Sequence, residues 1–151
     1  MPGGLAFSEF RGFEGWQTVA VSQSGDKIEV ILANPVMIDA YRAGATGEGK
    51  KFPDGSKLAK IHWMAIKSTE PGSPIIPGSL HDIDFMVRDS ARFADSDAWR
   101  YAESEYGAES DTFRPGTPTD KPPQANDAKC GFACHTVVAK KDYVFTVYGK
   151  R

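Results

Sequence analysis

Between residues 58 and 67 apolar and polar side chains are segregated in the way an extended chain segregates them. Ala59, Ile61, Trp63 and Ala65 fall on one face, and Lys60, His62, Met64 and Ile66 on the other. The first face predicts a core. The second mixes apolar groups with a lysine and an imidazole, so it predicts either a solvated sheet surface or the wall of a pocket. Further strands are predicted over 18–22, 27–33, 83–87, 98–106 and 142–148, where β-branched and aromatic residues collect between turn signals. A helix is predicted over 34–42: Asn34 can accept a bond from an exposed backbone N–H, Pro35 suits the first helical position and Gly44 the exit. A second short helix over 89–95 and a loosely helical turn over 126–136 complete the pattern.

Glycine and proline concentrate at 44–55, 71–78 and 115–123, which cuts the chain into short structured stretches without an internal repeat. Many strands and few short helices predict an α+β fold, mainly antiparallel β-sheet, with the helices on one side of the sheet or at its ends. With 151 residues, 40% hydrophobic and 25% charged, residues 1–151 read as one small domain. A chain of this length hides roughly two-thirds of its unfolded surface, so it needs no cage of disulfides to fold.

A formal charge of -2 supplies no field for capturing nucleic acid by counterion release. The longest apolar run, Ile28 to Ala33, is broken by Glu29 and falls far short of the ~20 residues that cross a bilayer, so no membrane span is expected. Met1 to Phe7 carry neither the basic start nor the apolar core of an export signal, and the compartment has to be inferred from chemistry.

That chemistry is concentrated in Cys130-Gly-Phe-Ala-Cys134-His135. In c-type haem attachment two thiols add across the porphyrin vinyl groups, and the histidine after the second cysteine becomes the axial ligand of the iron. The usual spacing leaves two residues between the cysteines, whereas here there are three. Two other readings stay open. Cysteines at i and i+4 share one face of a helical turn and could form a disulfide, which would close a short loop for roughly 2 kcal/mol. Zinc is the poorest, because His62 and His81 stand at no metal-ligand spacing.

Phe13-Glu-Gly-Trp16, Asn34-Pro to Tyr41, Phe52-Pro-Asp-Gly-Ser56 with Lys60, Val87-Arg-Asp-Ser-Ala-Arg-Phe93 followed by Trp99, the cysteine-histidine motif and Lys141-Asp-Tyr-Val-Phe-Thr146 follow one another in order over nearly the whole chain. This series resembles the cytochrome P-460 family and its relative cytochrome c'-beta. The resemblance implies a small β-rich periplasmic domain, usually a homodimer, with covalent haem c near the carboxyl end. It implies a five-coordinate iron that oxidises hydroxylamine or binds nitric oxide or carbon monoxide, and a cytochrome as a possible redox partner.

Carried over by position, Cys130 and Cys134 match the thioether cysteines and His135 the proximal ligand. Lys60 falls where the hydroxylamine-oxidising members bear a lysine bonded to the porphyrin rim, and it could equally be a solvated surface charge. Asp84 falls near a distal carboxylate that shuttles protons, one methylene shorter than the glutamate expected there, on a face shared with Asp82 and Met86 that could equally be exposed. His62 reads as a structural histidine beside the pocket and His81 as a surface residue. Phe132, Tyr143, Phe145, Trp99 and Tyr101 are candidates for apolar walls, and Val137, Val144 and Phe145 are expected to bury against the sheet. No methionine or histidine is placed as a sixth ligand, with Met64 and Met86 left open. The alternative is a haem-free domain of the same fold, its cysteines joined or free, acting as a binding or structural module.

Overall fold

The computed structural model describes residues 5–114, 126–127 and 129–151, with side chains for 5–114 and 131–151. Strands β1 (Gln17–Ser24), β2 (Lys27–Ala33), β3 (Lys57–Lys67), β4 (Ile75–Arg88), β5 (Trp99–Gly107) and β6 (Thr112–Arg114) pair in chain order, every pair antiparallel. The two-residue β7 (Asn126–Asp127) pairs with β5 as well. Helix α1 (Pro35–Arg42) links β2 to β3, and α2 (Lys129–His135) follows β7. The expected α+β class, dominated by antiparallel sheet, is the observed one.

Register decides what each face of the sheet carries. One face aligns Leu32, Ala59, Phe85 and Ala102 across β2 to β5, and the next row on that face holds Val30, Ile61 and Ile83. The amino-terminal segment closes over it. Phe10 stacks on Phe85 with centroids 4.1 Å apart, and Phe7 and Phe13 meet the same ring edge-on. Phe10, Phe85 and Phe93 are all buried.

The opposite face changes character row by row. Ala33, Leu58, Met86 and Tyr101 form an apolar row at one end, packed against α1 and Val144. Next come Ile31, Lys60, Asp84 and Glu103, and then Glu29, His62, Asp82 and Glu105. The undecided face of β3 is therefore neither plain core nor plain surface.

Helix α1 starts as its sequence predicts. The Asn34 side-chain oxygen accepts from the backbone N–H of Met37 at 3.1 Å and from that of Lys57 at 3.0 Å, tying the helix start to β3. Gly44 beyond the exit has φ +81°, a conformation that costs glycine little.

Three expectations fail for physical reasons. Residues 89–95 form no helix: the Asp89 carboxylate accepts from the N–H groups of Ala91 and Arg92, a local turn, and only Ala94–Ser96 wind into a single 3-10 turn. Residues 142–148 form no strand, because Asp142 and Tyr143 both take positive φ, +53° and +63°, as the chain leaves the 3-10 turn Thr136–Lys141. That segment is held by side chains instead, the Tyr41 hydroxyl lying 2.9 Å from that of Thr146 and Tyr148 bonding Gln17. Strand β4 begins at Ile75 rather than Ile83. Pro77 and Gly78 look like turn residues, yet Pro77 pairs with Ala65 beside a register shift, and a Cβ on Gly78 would lie 2.8 Å from Ile66 Cγ2.

Candidate functional site

A cavity of about 530 Å³ lies between the graded face of the sheet and the carboxyl-terminal segment. Its floor comes from the alternation that puts Leu58 and Lys60 of β3, Asp84 and Met86 of β4, and Tyr101 and Glu103 of β5 on one side. Its other wall comes from Cys134 and His135 of α2 and from Val144, Phe145 and Thr146. Four of the five residues singled out from sequence thus line one space, although they lie up to 75 positions apart in the chain (135 minus 60). The side chain of the fifth, Cys130, lies outside the described residues, so the disulfide alternative cannot be placed on the structure.

His135 is the most constrained of the four. Its ring meets Tyr101 and Phe145, each with centroids 4.9 Å away. Its Nδ1 lies 2.6 Å from the Tyr143 carbonyl oxygen. A carbonyl only accepts, so Nδ1 carries the proton and Nε2 keeps the lone pair. Burial holds the ring below its ordinary pKa against the Tyr143 bond, with Lys60 adding in the same downward direction as burial. A neutral imidazole with one nitrogen occupied and the other available is what a metal ligand requires.

The positive φ of Tyr143, which abolished the expected strand, turns the chain where its carbonyl meets His135. The preceding residue anchors that turn. Asp142 accepts from the backbone N–H of Phe52 at 2.8 Å and from Arg88 Nε at 3.3 Å, and Arg88 Nη1 reaches Asp54 at 2.6 Å. Asp142 and Arg88 are both buried.

Lys60 Nζ lies 3.3 Å from Glu29 Oε2. Asp84 stands directly across from it on β4. Forty-two per cent of the Asp84 side chain is accessible, but what it opens onto is the cavity. Burial lifts its carboxyl to about 6; His62 and Lys60 oppose the rise, and the carboxylates of Asp82 and Glu103 add to it. The face that could equally have been exposed is not a solvent surface: Asp84 and Met86 line the cavity and Asp82 is buried beside it.

His62 lies one row beyond the cavity lining, buried, with Nδ1 bonded to Asp82. His81 is exposed, as expected, and its Nδ1 lies 2.6 Å from the other Asp82 oxygen. Of the candidate aromatic walls, Tyr101 and Phe145 line the cavity, whereas Trp99 is core. Phe132 stacks with Tyr143 and sits behind Tyr101. Val144 buries as expected, but Val137 is 78% exposed and Phe145 52%. The short turn Thr136–Lys141 spends its contacts on backbone bonds rather than on the sheet. Glu29, Glu103 and the Arg88–Asp142 pair were not anticipated. Glu29 carried a signal nonetheless, as the one charged residue in the run 28–33.

The lining suits a largely apolar ligand that takes a nitrogen donor and a thiol. Its volume falls in the range of roughly 300–1,000 Å³ usual for cofactor sites. Leu58, Met86, Tyr101 and Val144 supply apolar surface, and the buried Tyr101 hydroxyl faces no hydrogen-bond partner among the described residues. His135 supplies a nitrogen donor, and Cys134, exposed beside it, supplies a thiol. Among the described residues no helix is long and apolar enough to cross a membrane. No curated protein matches the sequence. The profile of one family, described as cytochrome P-460, matches residues 10–146, which takes in the sheet from β1 to β7, both helices and the chain as far as Thr146. The chain therefore belongs to the cytochrome P-460 family, a family of haem proteins.

Proposed function

We propose that this chain binds a c-type haem in the cavity, which Cys130 and Cys134 would attach and His135 Nε2 would ligate, and that it acts on a small nitrogen species or gas. The observation that carries the reading is the Nδ1–H to Tyr143 carbonyl bond, which fixes the tautomer and aims the other nitrogen. When bound, the haem supplies one-electron redox chemistry and a ligand site for hydroxylamine or nitric oxide.

The protein supplies the rest. Tyr101 and Phe145 clamp the His135 ring and keep water off that side. Asp84, whose carboxyl burial lifts to about 6, takes up and returns protons released as a substrate is oxidised. Lys60 faces the same space with its amine, and is the residue placed to join the porphyrin rim in an oxidase; without that bond the same site is a passive gas binder. Covalent attachment of haem to cysteines takes place after export, so the reading places the protein in the periplasm, as a homodimer exchanging electrons with a partner cytochrome.

Expression with export through a cytochrome c maturation system, followed by absorbance spectra of oxidised and reduced protein, tests this. An intense Soret band that stays with the denatured chain, and a haem peptide spanning Cys130 to His135, are the expected results. Protein that emerges colourless from that host overturns the reading and leaves a haem-free binding module of the same fold.

A further inference from the structure

Glu29, His62, Asp82 and His81 form a charged array next to the cavity that the fold itself does not require. The Glu29 side chain is only 15% exposed; its Oε2 accepts from Ser22 Oγ at 3.1 Å and lies 3.3 Å from Lys60 Nζ, and its Oε1 lies 3.6 Å from His62 Nε2. His62 Nδ1 bonds Asp82, and the second Asp82 oxygen accepts from His81. Lys27 Nζ stands 3.9 Å from Asp82 as well. Burying such groups is expensive, and apolar residues in the same places would commonly give an equally stable protein. Glu29 would pack as one more apolar position in β2, whose neighbours on the other face, Val30 and Leu32, join the core.

The geometry points to Glu29, held by Ser22 and backed by His62 and Asp82, as the positioning residue of the Lys60 amine. A lysine has four rotatable bonds and a compact charge, so an unheld Lys60 would sample much of the cavity mouth. Register sets the brace: Glu29 stands opposite His62 and His62 opposite Asp82, while Lys60 stands opposite Ile31 and Asp84 in the adjacent row. Ile31 offers the amine nothing polar. Although Asp84 stands across from Lys60, the amine lies 3.3 Å from the diagonal neighbour Glu29, which Ser22 and His62 together hold in place. Joining Nζ to a ring carbon breaks one N–H and one C–H bond and removes two electrons, so the step needs a two-electron oxidant such as hydrogen peroxide, which leaves as two waters; Glu29 holds the amine in place while that happens. Lys27, Asp84, Glu103 and Glu105 are the remaining charged groups on this face.

The inference rests on the proposed haem site and its lysine, and the test separates the two. Wild-type chain and the variants Glu29→Gln and Glu29→Asp are loaded with haem in the same maturation host and treated with hydrogen peroxide as the two-electron oxidant, and digests are weighed for haem peptide joined to Lys60. Expected is an adduct in the wild type, at least ten-fold less in Glu29→Gln, and partial recovery in Glu29→Asp, with attachment at the two cysteines and the melting temperature unchanged. His62→Gln, acting through Glu29, gives an intermediate loss and serves if Glu29→Gln does not fold. Equal adduct in the wild type and Glu29→Gln overturns the role of Glu29. Haem on the cysteines with no Lys60 adduct in the wild type overturns it too while leaving the haem reading intact, and chain without haem overturns both.

Discussion

Arg88 Nε lies 3.3 Å from Asp142 Oδ2, and through this buried contact the end of β4 holds the turn that presents the Tyr143 carbonyl to His135. The guanidinium also takes Asp54, so residues from three distant stretches of sequence, 54, 88 and 142, meet behind the cavity wall. An anchor of this kind makes the imidazole's direction a property of the whole sheet and not of one short helix.

Asp142→Ala should therefore be severely destabilising. It strips the buried Arg88 of one partner and leaves the Phe52 N–H without its acceptor. Removing one member of a buried pair typically costs about 3–5 kcal/mol. Urea unfolding measures it; a loss under about 1 kcal/mol would show that water or Asp54 takes over the role of Asp142.

The same pair shows what the sequence could and could not reveal. The turn residues around Pro53-Asp54-Gly55, the Arg88 stretch and the Lys141-Asp-Tyr run were all visible as motifs, yet nothing in linear spacing says that they touch. Likewise β3 displayed its two faces plainly, because alternation is a local property, and α1 displayed its cap. Whether Lys60 faced solvent or a pocket depended on which strands flank it and in what register, a non-local fact. The failed strand at 142–148 has the same origin: Val144 and Phe145 have the right propensity, but tertiary contacts impose left-handed backbone at Asp142 and Tyr143.

On the other side of the sheet, Phe85 joins three aromatic rings of the amino-terminal segment to the core. Phe85→Ala should cost about 3–5 kcal/mol through lost burial and an unfilled cavity. Leu5 to Gly15 should loosen first, which hydrogen exchange at the Gly15 and Trp16 amides would report. Unchanged protection there would mean that Phe93 and Ile83 hold the segment without it.

Asp84 predicts a pH dependence of opposite sign to the usual carboxylate. Its folded value, about 6, lies above the ordinary one, so the fold disfavours the charged form. Its contribution to stability is full below the unfolded pKa of roughly 4 and is lost as the pH rises through 6. Asp84→Asn should thus be more stable than the wild type at pH 8, with the difference vanishing by about pH 4. Urea midpoints across that range decide it, and a variant that is less stable at pH 8 would mean that Lys60 and His62 outweigh the desolvation.

Asp82, two residues earlier on the same face, should behave the other way. Burial alone would raise its carboxyl, but the bonds from His62 and His81 outweigh that and hold it below the ordinary carboxylate value. A depressed folded pKa contributes stability that is complete above the unfolded value and is lost as the pH falls through the folded one. Asp82→Asn should then unfold more easily than the wild type at pH 7, and the two should converge in strong acid, where both side chains are neutral. Two carboxylates on one strand face, separated by a single residue, would so carry opposite signs: the histidines lower the Asp82 carboxyl, and burial raises that of Asp84 to about 6. If both variants shift the midpoint in the same direction at pH 7, the histidines are not what distinguishes them, and the division of this face into a bracing row and a proton-exchanging row fails.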